Sequence, residues 1–279
     1  MFYCGLAGGF EAENVEGNLA LVKNSIGVFD RIAPGLERVT LTQGGKYYGC
    51  HLGPYKTPSV ESDPRHMPPN FYYEQEDFLI DFQKGKDWSW AVLRPEAVCG
   101  FAVGNPMNLI MCFGTYAAIS KELGMPLKYP GDLRGFEAIN QVTDSGLLAR
   151  MTLWSATSPN AANEIFNITN GDGFRYVNVW PDWAAAFGLE VGMPQRIVSA
   201  EVMPDKAPVW DRIVEKHDLV KLPYEQTAGW PYFDFNMDTS WDVLMSDAKR
   251  IDKGFTEMID TERMFLDLFA EFRCRKVLP

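Results

Sequence analysis

The stretch over residues 41–77 contains residue types that can polarise a carbonyl oxygen. A pair of glycines leads directly into Lys46, and two adjacent tyrosines, Tyr72 and Tyr73, follow a proline-rich segment. A lysine ammonium close to a phenol favours the phenolate, so it lowers the pKa of the phenol from its usual value of about 10. Such a phenol can donate a proton, or a strong hydrogen bond, to an oxygen on which negative charge develops. The stretch could therefore provide acid catalysis at a carbonyl group, but residue types and spacing alone also fit a surface lysine and a half-buried tyrosine.

The elements before this stretch predict a parallel sheet. Residues 1–4 are typical of the end of a buried strand, 11–32 of a helix and 38–42 of a second strand. The apolar residues of the helix fall on one face, at alternating steps of four and three: Val15, Leu19, Val22, Ile26 and Phe29. The order strand, helix, strand predicts a βαβ unit with a right-handed crossover. The second strand runs directly into the loop that carries Lys46.

The elements after the lysine continue the alternation of strand and helix. Five prolines predict a loop over residues 51–69, and a helix over 72–84 and a strand over 88–93 follow it. An almost wholly apolar helix is predicted over 109–123, with Asn108 as its N-terminal cap. This apolar surface belongs in the core, under a substrate pocket or at the face of a homodimer.

Two motifs in this region resemble the progesterone 5β-reductase/iridoid synthase-like (PRISE) group of atypical short-chain dehydrogenases/reductases. One motif is Thr42 to Gly49, and the other is Asn70 to Asp77. The resemblance implies that Lys46 and Tyr73 form the catalytic pair. Most short-chain dehydrogenases place the lysine four residues after the tyrosine, and that position is an aspartate here. The order Thr42-Gln43 and the tyrosine at position 47 also depart from the family pattern.

The resemblance further implies a nicotinamide cofactor, NADPH, and the residues that bind it. Residues 94–101 are similar to a family turn that passes the nicotinamide, and residues 104–108 to a second family loop. The cofactor-binding residues implied in this way are Gly5, Gln43, Lys46, Tyr73, Val98 and Met107. The choice of NADPH over NADH comes from the family alone.

The fold implied by the resemblance is α/β, with a partial Rossmann-like doubly wound parallel sheet and a smaller, mostly helical substrate cap. We expect residues 1–193 to form the C-terminal part of the Rossmann-like domain, with its active-site lysine and tyrosine. Residues 194–279 would form the cap, with helices over 208–217, 241–251 and 261–272.

The family pattern places three strand and helix steps, including a glycine-rich phosphate-binding turn, before the first strand of this sequence. The glycines at 5, 8 and 9 do not form G-x-G-x-x-G. Without the three strands, the first strand would be a bare edge in the middle of a parallel sheet, which is an aggregation risk. We therefore expect the sequence to be a fragment of a complete reductase rather than a naturally short protein.

The function implied is the NAD(P)H-dependent reduction of the C=C bond of an enone, with a small apolar carbonyl compound as substrate. Hydride would reach the β-carbon while Tyr73, supported by Lys46, stabilises the enolate oxygen. One alternative is a carbonyl reductase or alcohol dehydrogenase of the same superfamily that uses the same pair. A second is a truncated, non-catalytic pseudoenzyme that binds an apolar ligand or a partner chain.

The composition limits the kinds of binding partner and the cellular compartment that we expect for the protein. The formal charge of −11 and the pI of about 4.8 argue against nucleic acid and anionic membranes, since both attract clustered Lys and Arg. The five cysteines and three histidines are scattered without the spacing of a metal site, so we predict none. The N-terminal residues lack the basic flank of a signal peptide, and the apolar run 107–123 is short for a membrane span. We expect a cytoplasmic protein with reduced thiols.

Overall fold

The computed structural model describes residues 1–8, 13–105 and 107–279. Strands and helices are numbered in chain order. The strands are β1 (Phe2–Tyr3), β2 (Arg38–Thr42), β3 (Ser89–Pro95), β4 (Val98–Cys99), β5 (Ile139–Asn140), β6 (Thr143–Asp144), β7 (Glu164–Ile168) and β8 (Phe174–Arg175). The helices are α1 (Val15–Ile32), α2 (Phe71–Gln83), α3 (Leu109–Glu122), α4 (Leu133–Glu137), α5 (Ser145–Thr157), α6 (Tyr176–Ala186), α7 (Ser199–Val202), α8 (Ala207–His217), α9 (Trp230–Met237), α10 (Ala248–Asp252) and α11 (Thr261–Cys274).

The chain divides into two compact units, each built from three separate segments. The first unit comprises Met1–Ala97, Ser145–Gly171 and Leu244–Met258. The second unit comprises Val98–Asp144, Asp172–Val243 and Ile259–Pro279. The predicted division into residues 1–193 and 194–279 stays a prediction. It concerns which residues serve the cofactor and which serve the substrate, and the two compact units do not test that.

The first unit is built on a parallel sheet with the strand order β1-β2-β3-β7. Tyr3 lies beside Leu41, Leu41 beside Val92 and Val92 beside Ile165, so the carboxyl ends of the strands meet at one edge. The predicted strand, helix, strand order and the parallel pairing are confirmed. The prediction of further strands before β1 stays a prediction.

Helices cover both faces of this sheet. Side chains alternate along a strand, so Val39 and Leu41 of β2 face one way and Thr40 faces the other. Val22 and Ile26 of α1 pack with Val39 and Leu41 in one buried cluster, which also includes residues of α2 and β3. On the opposite face Thr40 Oγ1 lies 3.5 Å from Ser155 Oγ of α5. The domain is therefore the predicted α/β, doubly wound, Rossmann-like domain.

The helix predicted from residue 11 begins later. α1 starts at Val15, because the Asn14 side chain caps it by accepting a hydrogen bond from the Gly17 N–H at 3.1 Å. Residues 11 and 12 lie outside the described part of the chain. Asn18 of α1 is also buried, and its side chain bonds the backbone of Ala7 in both directions, which ties the turn after β1 to the helix.

The second unit contains the apolar helix expected over residues 109–123. α3 is capped as predicted, since Asn108 Oδ1 accepts from the N–H groups of Ile110 and Met111. Its side chains are buried from Leu109 to Ser120. No helix in the described residues is long and apolar enough to cross a membrane.

The helix predicted over residues 241–251 is wrong in its first half. Only α10, Ala248–Asp252, is helical there. The preceding backbone pairs with the loop at Ser59 instead, because Ser59 N–H donates to Leu244 O at 3.0 Å and Ser246 N–H donates to Ser59 O at 2.9 Å. A backbone group that is bonded across the chain cannot also bond within a helix.

We expect Ile26→Ala to lower the free energy of unfolding by about 2–5 kcal/mol, because it leaves a cavity between α1 and the sheet. Ile26 is 0% exposed, whereas Leu21 of the same helix is 40% exposed. The matched variant Leu21→Ala should change the free energy by less than about 1 kcal/mol. Urea unfolding of both variants checks the packing of α1, and equal losses would contradict it.

Candidate active site

The loop after β2 and the start of α2 meet at the carboxyl edge of the sheet. The glycine pair leads into a short 3-10 turn, Gly45–Tyr48, which carries Lys46. Asn70 caps α2 by accepting from Tyr72 N–H at 3.1 Å, and its side-chain amide donates to Lys46 O at 3.1 Å. One residue therefore fixes the lysine turn against the end of the helix that bears both tyrosines.

The Lys46 ammonium has a defined position at this junction. It donates to Glu13 Oε1 at 2.5 Å, and the other oxygen of Glu13 accepts from Phe71 N–H at 3.2 Å. The ammonium also lies 4.4 Å from the ring centroid of Phe71 and 5.4 Å from that of Tyr72. The carboxylate and the two rings together hold the ammonium in place. The lysine side chain is 28% exposed, so it stays accessible to a ligand.

The predicted catalytic tyrosine, Tyr73, is buried and bonded to the main chain. Its hydroxyl donates to Tyr47 O at 2.8 Å and accepts from His66 N–H at 3.1 Å. Burial raises the pKa of Tyr73 above its usual value, and the hydrogen bond from the His66 N–H acts in the other direction. The expectation that a lysine lowers the pKa of this phenol is wrong, because Lys46 instead bonds Glu13.

The neighbouring tyrosine, Tyr72, has a different environment. Within the described residues no group bonds its hydroxyl, and a Cβ placed on Gly44 would lie 3.0 Å from its Oη. Burial, and then the charge of Glu96, raise the pKa of Tyr72 well above its usual value. The hydroxyl is therefore a neutral donor beside the lysine turn.

Sequence reasoning chose Tyr73 and passed over Tyr72. Consecutive residues on a helix point about 100° apart, so the two tyrosine side chains have different surroundings. The two tyrosines are adjacent, and this geometry is the signal that could have kept both as candidates.

Two further predicted residues lie at the same edge of the sheet. Gly5 follows β1 and is exposed. Gln43 N–H donates to Leu93 O, and its side-chain amide donates to Tyr72 O at 2.8 Å. Its Oε1 is buried and finds no hydrogen-bond partner within the described residues. An orphaned acceptor of this kind fits a ligand that brings a hydroxyl or an amide N–H.

The remaining predicted cofactor residues, Val98 and Met107, belong to the second unit. Val98 begins β4 and pairs with Thr143. Met107 N–H donates to Asn105 Oδ1 at 3.0 Å, just before the cap of α3. The structure thus brings Gln43, Lys46 and the tyrosines together in the first unit. Val98 and Met107 lie in the second unit.

A buried ion pair is hydrogen-bonded to the turn that carries the lysine. Arg94 of β3 is 0% exposed and donates to Glu76 Oε2 of α2 at 2.7 Å and to Tyr48 Oη at 2.9 Å. Tyr47 Oη donates to Glu76 Oε1 at 3.1 Å, and the Arg94 guanidinium lies 3.3 Å from the centroid of the Tyr47 ring. Both tyrosines of the 3-10 turn are therefore bonded to one arginine and carboxylate pair.

A carboxyl group that sequence reasoning did not single out, Glu96, lies directly beside the glycine pair. A Cβ placed on Gly45 would lie 1.9 Å from Glu96 Oε2. Burial raises the pKa of Glu96 to about 7. Burial also lowers the pKa of His51 to about 4, with the charge of Lys46 acting in the same direction.

The lysine and the two tyrosines at the carboxyl edge of a parallel, doubly wound sheet are typical of the short-chain dehydrogenase/reductase class. The model of the PRISE-like Rossmann-fold domain matches residues 1–279, and the chain belongs to that family. The resemblance drawn from the two motifs is thereby confirmed.

Curated relatives include a dehydrogenase, an enol synthase and a reductase. The chain is 36% identical to the short chain dehydrogenase gsfE of Penicillium aethiopicum, over 96% of this chain and 76% of that protein. It is 34% identical to an (S)-8-oxocitronellyl enol synthase of Antirrhinum majus, over 100% and 74%. A 3-oxo-Delta(4,5)-steroid 5-beta-reductase of Arabidopsis thaliana is 30% identical, over 96% and 71%. These relatives support a reductase of the short-chain dehydrogenase/reductase family.

Solved structures share the fold at low sequence identity. A short-chain dehydrogenase/reductase superfamily protein from Agrobacterium tumefaciens with bound NAD gives a TM-score of 0.64 at 14% identity, over 99% of this chain and 79% of that one. RMD from Pseudomonas aeruginosa, complexed with NADPH, gives 0.60 at 16% identity, over 97% and 79%. At this identity the likeness concerns the fold.

We expect Glu76→Gln to lower the free energy of unfolding by about 3–5 kcal/mol, because it leaves the buried Arg94 without its counter-charge. Asp77 is the next residue along the same helix, pairs with Arg65 and is 60% exposed. The matched variant Asp77→Asn should cost less than about 1 kcal/mol. Urea unfolding at pH 7 compares the two, and a small loss for Glu76→Gln would contradict a structural role for the ion pair.

The shifted pKa values of Glu96 and His51 make the stability of the protein depend on pH in opposite directions. Glu96 has a folded pKa above its unfolded value, so its contribution is full below about pH 4.5 and is lost as the pH rises through about 7. His51 has a lowered folded pKa, so its contribution is full above about pH 6.5 and is lost as the pH falls through about 4.

Between pH 4.5 and 8, Glu96→Gln should therefore gain stability relative to the wild type, by up to about 3 kcal/mol. His51→Gln should lose stability relative to the wild type over the same rise in pH. Urea unfolding at pH 4.5, 6 and 8 measures both differences. Parallel curves for Glu96→Gln and the wild type would show that Glu96 titrates normally.

Proposed function

We propose that this protein is an NAD(P)H-dependent reductase of an activated C=C bond conjugated to a carbonyl group. The observation that carries the proposal is the Lys46 ammonium held against the start of α2, the helix that bears the two tyrosines. Relatives named as an enol synthase and as a Δ4,5-steroid 5β-reductase support a substrate whose carbonyl is conjugated to the bond reduced.

The residues at the carboxyl edge fit a nicotinamide dinucleotide. The buried acceptor Gln43 Oε1 needs a donor, which a ribose hydroxyl or a carboxamide would bring. Gln43 and Lys46 would hold the ribose, and we propose Gly5, Val98 and Met107 as further cofactor-binding residues. The cofactor supplies a hydride when bound. Structures of similar fold with NAD and with NADPH support this class of cofactor, and we propose NADPH.

The protein's own contribution is a neutral phenol beside a fixed positive charge. As the β-carbon of the substrate gains a hydride, negative charge develops on the carbonyl oxygen. A tyrosine hydroxyl that is kept protonated by burial donates a hydrogen bond or a proton to that oxygen. Lys46 stabilises the negative charge of the phenolate that is left when the proton has been donated. This role requires a hydroxyl that can turn toward the substrate.

The two tyrosines differ in this respect. Tyr73, the residue predicted by family resemblance, holds its hydroxyl between two backbone groups. Tyr72 has the hydroxyl that no described group bonds, and its ring lies near the Lys46 ammonium. This geometry supports Tyr72 as the donor, and the family resemblance supports Tyr73, the residue predicted from the sequence.

A pair of phenylalanine variants tests the assignment. We expect Tyr72→Phe to lower kcat for an enone at least about 100-fold, the usual scale for a lost general acid, with little change in affinity for NADPH. Tyr73→Phe should keep most of kcat and lose about 1–3 kcal/mol of stability, since buried backbone partners lose a hydrogen bond. NADPH oxidation, NADPH titration and urea unfolding give the three readouts.

The opposite ranking of the two kcat values would restore Tyr73 as the donor. Full activity in both variants would contradict a tyrosine acid altogether. Product analysis with an enone then separates two reactions, because C=C reduction gives a saturated ketone and carbonyl reduction gives an unsaturated alcohol. The relative named as a short chain dehydrogenase keeps the second reaction as the alternative.

A further inference from the structure

The Glu13 carboxylate, from the segment between β1 and α1, contacts two parts of the candidate active site at once. Its Oε1 accepts from the Lys46 ammonium at 2.5 Å. Its Oε2 accepts from the backbone N–H of Phe71, the first residue of α2, at 3.2 Å. One carboxylate therefore connects the lysine turn to the helix that bears both tyrosines.

The start of α2 fixes this carboxylate independently of the lysine. The first N–H groups of a helix have no partner within the helix, and the helix dipole favours a negative charge there. Asn70 Oδ1 accepts from Tyr72 N–H, and Glu13 Oε2 accepts from Phe71 N–H, so two side chains share the capping of this end. The position of the Glu13 charge is thus set by the backbone of α2.

The Lys46 ammonium is held from several sides and still has donors to offer. Lysine carries three N–H donors on a flexible four-carbon stem. Among the described residues Glu13 is the hydrogen-bond partner of the ammonium and takes one donor, which leaves two for a ligand. The rings of Phe71 and Tyr72 lie against the same ammonium. Glu13 therefore restrains Lys46 without closing it to a ligand.

We infer that Glu13 is a positioning residue, which holds the Lys46 ammonium ready for the ribose of the nicotinamide cofactor and for the charge that develops in the reaction. The inference rests on the proposed function, and it is the same for either tyrosine as the proton donor. A lysine that is fixed before the cofactor arrives loses less freedom on binding, so the affinity is higher. The fixed ammonium also stays at the distance where its charge acts during the reaction.

The first test needs no cofactor. An ammonium paired with a carboxylate must leave the pair and lose its proton before the amine can react. Lys46 should therefore be acylated about threefold faster in Glu13→Gln than in the wild type, the scale of a partly exposed ion pair. Lys84, which is 72% exposed, is the internal reference in both proteins. Mass spectrometry after brief labelling of the folded chain measures the rates, and equal rates at Lys46 would overturn the inference.

The second test measures NADPH binding and enone reduction. Glu13→Gln removes the charge, and its amide oxygen can still accept from Phe71 N–H. We expect the Kd for NADPH to rise about fivefold and kcat to fall about tenfold, because the ammonium is no longer held in place. The matched control is Glu16→Gln, which removes the same charge from an exposed side chain in the first turn of α1. It should change either value less than about twofold.

A double-mutant cycle separates positioning from a purely structural role. In a chain that already carries Lys46→Met, Glu13→Gln should change the Kd for NADPH less than about twofold, because its effect acts through the lysine. A purely structural role at the start of α2 would persist in that background and would also lower the midpoint of urea unfolding. Glu13→Asp keeps the charge on a shorter side chain and should recover part of the affinity. If Glu13→Gln does not fold, the same cycle is run with Glu13→Asp.

Wild-type affinity and kcat in Glu13→Gln would overturn the inference and leave the proposed function in place. Tighter binding of NADPH by Glu13→Gln would also overturn it, since the carboxylate would then compete with the cofactor for Lys46. A wild-type chain that binds no NADPH would overturn the proposed function, and the inference would fall with it.

Discussion

The buried ion pair between Arg94 and Glu76 holds together the parts that carry the site. Arg94 comes from the central strand β3 and Glu76 from α2, so one pair of charges joins the sheet to the helix that bears both tyrosines. The same pair binds the two tyrosines of the lysine turn, Tyr47 through Glu76 and Tyr48 through Arg94. Desolvating two charges costs several kcal/mol, and good geometry with further hydrogen bonds offsets that cost. The network here supplies both.

This network explains why the alternation of residues along β3 matters for the site. Trp90, Val92 and Arg94 point to the same face, because side chains alternate with period two. The first two join the apolar cluster with α1 and α2, and the third reaches Glu76 at the carboxyl end of that face. β3 is otherwise an ordinary buried core strand. Near its carboxyl end it carries the charged Arg94, at the edge of the sheet where the candidate active site lies.

Much of the fold could be predicted from the sequence, because it depends on local pattern. The apolar spacing in α1, the cap Asn108 and the glycines before Lys46 all act within a few residues of the elements that they shape. The segment 241–247 could not be predicted in this way. The Leu244 backbone bonds Ser59, which is 185 residues away along the chain, and no local pattern reports such a contact.

The site was predicted in part for the same reason. Lys46 and the tyrosine pair are visible as residue types, and family resemblance pointed to Tyr73. Which hydroxyl is bonded to the backbone depends on His66 and on Tyr47 O, and these contacts exist only in three dimensions. Glu96 escaped notice because a glutamate after a strand resembles a solvent-exposed charge until its burial is known.

The glycine pair leaves room for the phenol and the carboxyl beside the lysine turn. A side chain at Gly44 would meet the Tyr72 hydroxyl, and one at Gly45 would meet the Glu96 carboxyl. Each glycine therefore keeps open the space of one proton-bearing group, while the next residue along the chain supplies the positive charge. The requirement for glycine at both positions is steric and not conformational, since Gly44 has the extended backbone that other residues adopt. Substituting either glycine would require the facing phenol or carboxyl to shift away from the turn that carries Lys46.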